Sequence, residues 1–323
     1  MEIFNTDKIY DFMSKSKLFI AFSLVLILSS YALLFTKGLN YGIDFAGGTL
    51  VQVKYEGAAP IKKIREAVKQ DPMFASASVT EFGSPDEVII KIPTSSGSVS
   101  SDVGDKARAL LKSTGKFEVR RVDMVGPKVG NELREKGLMA MVISILVILI
   151  YVSFRFEWRF ALASILALVH DVSIALGAIS LFGIDVNLDI LAAILTILGY
   201  SLNDTIIVFD RIREGIQQSK VYDLFKIINE SITKTLSRTT LTSLTTFFVV
   251  LTLFLFGGEI IHGFSFTMLV GVVVGTYSSI FIASPLLKWL GFDVAEYKRR
   301  LAEKEKQRLE KEKMRKEFEG GVV

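Results

Sequence analysis

Cysteine is absent from all 323 residues. A disulfide framework, a thiol nucleophile and thiolate metal sites are therefore excluded, although the absence identifies no compartment. No small-x-small cleavage site precedes Thr36-Lys37 after the first apolar run. That run also exceeds the roughly 7–15 residues of a signal-peptide core, so it is expected to stay in the membrane as a span. The stretch 37–136 has no histidine and its acids are scattered along polar faces. No general acid–base pair is legible there. Two short stretches, 183–189 and 257–263, contain neither Lys nor Arg.

What the chain has in quantity is apolar sequence, half of all residues. Six runs of about 18 to 27 largely apolar residues occur at 18–35, 137–154, 160–182, 190–209, 239–256 and 264–290, each long enough to cross roughly 30 Å of hydrocarbon. The expected fold class is an all-α polytopic membrane protein with six transmembrane helices. The loops after the second and fourth runs are basic (Arg155 and Arg159; Arg211, Arg213, Lys220, Lys226 and Lys234), as is the tail at 298–316. The positive-inside rule then puts both termini in the cytoplasm. The expected organisation is a cytoplasmic N-terminus (1–17), a first transmembrane helix (18–36), an exported, periplasmic α+β domain (37–136), spans two to six (137–290) and a basic cytoplasmic tail (291–323).

The exported segment reads as one small domain. Residues 49–55 alternate, with Val51, Val53 and Tyr55 on one face; Ile61, Ile64 and Val68 have helical spacing. Stretches 79–82 and 88–92 read as strands joined by the turn-rich tetrad 83–86, Val103, Ala107, Leu110 and Leu111 as a second helix, and 117–122 as a last strand. The order β-α-β-β-α-β is that of a ferredoxin-like split βαβ fold. Its entry, with Gly42, Asp44, Gly47 and Gly48, is glycine-rich but opens a strand. A phosphate cradle needs a helix N-terminus after the glycines, so a tight turn off the membrane is the simpler reading.

Three spans carry polar groups at depth, and an ionisable side chain inside hydrocarbon is by default a candidate for function. The fourth has Asn203 and Asp204, the third His170 and Asp171, and the fifth Arg238 followed by a ladder of hydroxyls that includes Thr242. Asp204 precedes Arg211 by seven residues, so it lies about 10 Å from the basic surface. Arg238 follows Lys234 by four residues, roughly 6 Å in, and one Arg side chain covers the difference. Asp171 lies about 18 Å from the same surface. A helix movement that changes the Asp204–Arg238 separation would bind or release a proton, and each charge crossing the field provides about 2.3 kcal/mol per 100 mV. The candidate proton relay is Asp204, Arg238, Asn203, Asp171, His170 and Thr242. Blander readings stand beside it: Arg238 as a snorkelling end-of-span arginine, the hydroxyls bonded to their own helix, Asn203 as an interhelical clasp and His170-Asp171 as a closed structural pair.

The sixth span repeats small residues every fourth position, Gly271, Gly275, Ser279 and Ala283, a seam for close helix packing. Leu224, Ile228, Ile232 and Leu236 recur every fourth residue and predict an amphipathic helix lying on the cytoplasmic surface. The tail at 298–316 alternates basic residues with Glu and reads as a solvated helix. No metal site, cofactor or nucleic-acid partner is expected.

The run at 42–49, Phe156-Glu157-Trp158-Arg159, the run at 199–205, Asp210-Arg211-Ile212-Arg213-Glu214 and Ser237-Arg238-Thr239 together resemble the SecD/SecF family of bacterial protein-export membrane proteins, in its SecF branch. The resemblance covers nearly the whole chain, in order, apart from the tail. It implies a six-span subunit pairing with SecD in a pseudo-symmetric assembly of the resistance-nodulation-division superfamily. Such an assembly acts beside the SecYEG channel and uses the proton gradient to complete export of unfolded preproteins. It also implies a place in the proton path for Asp204 with Arg238 beside it, and no enzyme activity. The alternative is half of a proton-coupled small-molecule exporter of the same superfamily, whose members usually carry two large exported domains. An intramembrane aspartyl protease would need Tyr-Asp and Gly-x-Gly-Asp, where this chain has Val169-His170-Asp171 and Leu202-Asn203-Asp204.

Overall fold

The computed structural model describes residues 8–93 and 103–320. A 3-10 turn (Met13–Lys15) leads into helix α1 (Ser16–Thr36). An insert domain follows: β1 (Asn40–Tyr41), α2 (Ile43–Ala46), β2 (Gly48–Tyr55), α3 (Ile61–Val68), β3 (Ser78–Phe82), β4 (Ser84–Pro93), α4 (Val103–Leu111) and β5 (Phe117–Val125). Then come α5 (Pro127–Arg155), α6 (Trp158–Phe182), β6 (Asp185–Val186), α7 (Leu188–Gln218) and α8 (Leu224–Phe256). The last long helix is α9 (Glu259–Ser278), continued by a π-helical turn (Ser279–Ala283) and α10 (Ser284–Trp289); α11 (Val294–Gly320) is the tail. Six of these helices are long and apolar enough to cross a membrane: α1, α5, α6, α7, α8 and the composite helix from Glu259 to Trp289.

The six spans are not equivalent. Half or more of the apolar windows of the third, fourth and sixth spans is buried (56%, 50% and 56%), against 11%, 11% and 17% in the first, second and fifth. Spans three, four and six therefore form the inside of the bundle. Lipid tails are as apolar as leucine, so what selects that inside is close packing and internal hydrogen bonding. Glycines permit the closeness. A Cβ added at Gly271 would lie 2.3 Å from Ile197 of α7, and one at Gly275 would lie 3.0 Å from the Ser201 Cβ. Ser279 and Ala283, the other members of the small-residue stripe, are buried within the π-helical turn.

The insert is built on an antiparallel four-stranded sheet in the order β3-β4-β2-β5. The faces of β2 and β4 that carry Val51, Val53, Val88 and Ile90 pack on Ile64 and Val68 of α3 and on Ala107 and Leu111 of α4. The entry to this domain differs from the expected turn. Gly42 caps a one-turn helix, α2, which ends at Gly47 with φ +73°. The chain then enters β2 at Gly48, where φ is +150° and a side chain would meet the Ile92 carbonyl at 2.6 Å. Both positions disfavour a side chain by their positive φ, and Gly48 also by the close Ile92 carbonyl.

The expected surface helix at 224–236 is instead the first third of α8. Asp223 caps it by accepting from the Phe225 amide at 3.0 Å, and the helix then runs unbroken to Phe256. Ile227, Ile228 and Ile232 are buried against the extension of α7 rather than laid on a membrane surface. No glycine or proline interrupts residues 224–256, so nothing stops the helix where hydropathy falls.

The Gly271–Ile197 contact makes a direct prediction. Gly271→Leu should destabilise the bundle by about 1–3 kcal/mol through overpacking, seen as a lower melting temperature in detergent. Ile197→Ala in the same chain should recover part of that loss. An unchanged melting temperature for Gly271→Leu would contradict the packing described.

Candidate functional site

Two buried carboxylates lie one helical turn apart in the inner helices, and their surroundings differ. Asp171 of α6 is fully buried. Its Oδ1 is 2.7 Å from His170 Nδ1, and its Oδ2 accepts from Ser201 of α7 at 2.5 Å and from Ser278 of α9 at 2.8 Å. The His170 ring lies along the Tyr277 ring, centroids 6.1 Å apart, and the Tyr277 hydroxyl donates to the Phe19 carbonyl of α1. Every oxygen of Asp171 is thus engaged, and the pair knits spans one, three, four and six together.

Asp204 of α7 is also fully buried. It sits three residues, one turn, from Ser201 on the same inward face. Its Oδ2 accepts from Ser243 of α8 at 3.1 Å and lies 3.4 Å from the Thr276 hydroxyl of α9, while Thr276 and Ser243 are 2.7 Å from each other. Its Oδ1 is buried and has no hydrogen-bond partner. No cation stands within salt-bridge distance of Asp204 among the described residues. Two further buried oxygens nearby along the helices are unpartnered, the Tyr200 hydroxyl one turn before Asp204 and the Thr239 hydroxyl one turn before Ser243. An ionised carboxylate left with a bare buried oxygen carries a large desolvation penalty. The contrast with Asp171 is one of satisfaction: the same residue type is fully partnered at one level and half partnered at the next.

The remaining candidates are placed elsewhere. Arg238 is exposed at the end of the bundle opposite the insert. It lines a cavity of about 620 Å³ with Ile206, Ile207, Asp210, Arg211 and Lys234. Asp210 is paired with Arg155 (2.9 Å) and Arg213 (2.8 Å), and Glu214 with Arg211 (2.6 Å). Among the described residues, no carboxylate pairs with Arg238. It precedes Ser243 by five residues, about 7.5 Å along α8, so the structure does not join it to Asp204. Asn203 is exposed, facing away from Asp204. Thr242 is exposed and its hydroxyl donates to the Arg238 carbonyl of its own helix at 2.5 Å. Ser201, Ser278 and Thr276 complete the site without having been singled out by sequence. The last two sit inside the small-residue stripe, where a hydroxyl reads as packing.

At the insert end, Gly42, Asp44, Gly47 and Gly48 come together over the start of α7. The Gly42 amide donates to the Val186 carbonyl at 3.0 Å, and Asp44 Oδ2 accepts from the Leu188 amide, also at 3.0 Å. A Cβ on Gly42 would fall 1.6 Å from Asn187 Oδ1.

Known proteins share this architecture and these motifs. Residues 106–293 match the family described as protein export membrane protein SecD/SecF, C-terminal, and residues 32–59 match the SecD/SecF GG motif. Over 323 residues, 100% of both chains, the chain is 50% identical to a protein of Helicobacter pylori strain J99 named protein translocase subunit SecF. Proteins of the same name from Vibrio alginolyticus (45% over 306 residues, 94% of this chain and 97% of that one) and Escherichia coli O157:H7 (40% over 301 residues, 92% and 93%) are similar. The backbone resembles a crystal structure of SecDF, a translocon-associated membrane protein from Thermus thermophilus, with TM-score 0.81 and 37% identity over 88% of this chain. The chain spans 39% of that longer protein. A second SecDF crystal structure, in a super-membrane-facing form, gives TM-score 0.66 and 36% identity, covering 94% of this chain and 41% of that one.

The two carboxylate environments predict unequal sensitivity. Ser201→Ala removes a short hydrogen bond to a buried carboxylate and should cost about 1.5–3 kcal/mol, lowering the melting temperature of the purified chain. Asn203→Ala, on the exposed face of the same helix, should stay within about 0.5 kcal/mol. Equal effects from the two substitutions would contradict the inward network.

Proposed function

Because the chain belongs to the SecD/SecF family of protein-export membrane proteins, we propose that it is an accessory subunit of the Sec preprotein translocase. It acts with SecD, beside the SecYEG channel, to complete export of unfolded preproteins with energy from the proton gradient. The arginine-rich end of the bundle faces the cytoplasm with both termini, 1–17 and 291–323, in the inner membrane of the cell. The 37–136 domain is on the exported side, and the strand order β3-β4-β2-β5 supports reading it as ferredoxin-like. The protein transfers protons and moves; it catalyses no covalent reaction. The small-molecule exporter is the weaker reading because this chain carries one short insert.

One observation carries the proton-coupled part of this proposal: the unpartnered, fully buried Oδ1 of Asp204. A proton on that oxygen removes the charge that the site leaves uncompensated. An arginine brought alongside would instead hold the anion, and Arg238, on the adjoining helix, has no carboxylate partner among the described residues. Alternation between these two arrangements links proton movement to a shift of α8 against α7, and the membrane potential biases it. Tyr200 and Thr239 lie above and below Asp204 as hydroxyl stations on the way. His170 and Asp171, with all carboxylate oxygens engaged, hold the helices rather than carry the proton. Thr242 is outside the path, and Asn203 is presented to SecD.

Asp204→Asn should accumulate to normal levels in the membrane yet lose the gradient-dependent part of preprotein export in inverted vesicles. Full export under an imposed gradient would remove Asp204 from the mechanism. Arg238→Lys keeps the charge and loses the planar fork, so reduced but measurable gradient-dependent export is expected. Export equal to that of the unaltered chain would leave Arg238 with headgroup contact alone.

A further inference from the structure

The insert domain touches the bundle at the first turns of α7 and α9, two of the three helices that hold Asp204 and its hydroxyl partners. Four contacts fix it over α7. Asn40 and Tyr41 pair as a short parallel ladder with Asp185 and Val186, immediately before the helix. Gly42 is packed so tightly on Asn187, the residue preceding α7, that no side chain fits between them. Asp44 accepts from the Leu188 amide, the first amide of α7. Lys91, near the end of β4, is paired with Asp185; burial pulls the Lys91 ammonium below its ordinary pKa, and the Glu259 carboxylate acts against that. Gly83, in the turn between β3 and β4, lies over the first turn of α9, where a Cβ would sit 3.7 Å from Glu259 Cβ. Behind α2, Gly130 of α5 admits the backbone of Phe45 and Gly47 at 3.1–3.3 Å.

From this geometry we propose that Asp44 is a positioning residue that rivets the insert domain to the start of α7, so that the sheet and the helix carrying Asp204 move as one rigid body. The carboxylate suits the task for two reasons. An amide in the first turn of a helix has no partner within the helix, and a side-chain acceptor satisfies it. The negative charge also lies at the positive end of the helix dipole. Gly130 admits the backbone of Phe45 and Gly47, and Gly42 sits directly against Asn187, so close backbone approach backs up the Asp44 and Lys91 contacts. Any displacement of α7 that accompanies proton binding then appears as a displacement of the sheet, without a hinge at residues 40–48. The proposal rests on the functional reading for the consequence of that movement, but not for the joint itself.

Two measurements test it. Hydrogen exchange on the purified chain in nanodiscs reads the joint directly, because among the described residues the Leu188 amide donates to Asp44. Asp44→Ala should speed exchange at the start of α7 by about 5–30-fold. Asp44→Asn, which keeps a carboxamide acceptor, should stay within about threefold of the unaltered chain. Equal exchange for Asp44→Ala and the unaltered chain would overturn the assignment whatever the outcome of any export assay. The second measurement uses the absence of cysteine. Residues 40 and 185 are partners across a parallel ladder, at roughly the 4.8 Å spacing of paired strands, within disulfide range. Asn40→Cys with Asp185→Cys is compared oxidised and reduced in the same vesicles, in complex with SecD. With Asp44 present, oxidation should leave at least half of the reduced export rate. With Asp44→Ala, export should fall severalfold when reduced and recover on oxidation, because a covalent rivet replaces the lost one. Export that collapses on oxidation with Asp44 present, or fails to recover on oxidation without it, would show that the joint must flex or that Asp44 acts otherwise. Should Asp204→Asn export normally, the proton reading alone fails and the exchange result still stands.

Discussion

A carboxylate with one engaged and one bare oxygen, shut inside apolar helices, is the constraint on which the rest of this molecule turns. Asp204 cannot sit there as an anion without help, and Ser243 and Thr276 are neutral hydroxyls that offer only part of it. Around it the bundle supplies close contact rather than charge: Gly271 and Gly275 bring the sixth span against the fourth, and Asp171 fastens the third to both. An under-satisfied acid in a tightly packed interior has two natural states, one neutralised by a proton and one by a cation. Under the proposed function Arg238, which lines a cavity on the neighbouring helix and is not joined to Asp204 in this structure, would provide the second.

The two ends of the bundle divide the labour. The end opposite the insert is rich in arginine and holds ion pairs centred on Asp210 and Glu214, which surface exposure and screening make individually weak. The other end is dominated by backbone contacts through glycine and by Asp44 on the first turn of α7. Weak, exchangeable contacts suit the movement proposed for Arg238, and close backbone contact suits the rigid joint proposed at the insert. The composite sixth span adds a π-helical turn directly after Ser278, the donor to Asp171, and such turns locally widen a helix where side chains must converge.

Much of this was legible in the residues. Continuous apolar runs located all six spans, because a membrane-crossing helix needs little beyond length and hydropathy, and alternation located the strands of the insert. Asp204 stood out because a charge in hydrocarbon is rarely incidental. Other features were hidden for identifiable reasons. Asn203 and Asp204 are adjacent in sequence but about 100° apart around a helix, so only one of them could face inward. The depth argument placed Arg238 and Asp204 at similar levels but carried no azimuth, and Ser243 occupies the direction that matters. Lys234 and Arg238 suggested that the fifth span begins near residue 239, whereas the backbone contains no breaker and α8 starts at Leu224. The partners Thr276 and Ser278 depend on how three helices cross, which no single-helix pattern encodes.

The account turns on Asp204 being the group that takes up and gives back a proton within the membrane. Infrared difference spectroscopy of the protein in lipid, recorded as the pH is changed, reads that step without any export assay. A protonated-carboxyl band that disappears as the pH is raised, and that is missing from Asp204→Asn while present in Asp171→Asn, is the predicted result. A band unchanged in Asp204→Asn, or no titrating carboxyl at all, would contradict it.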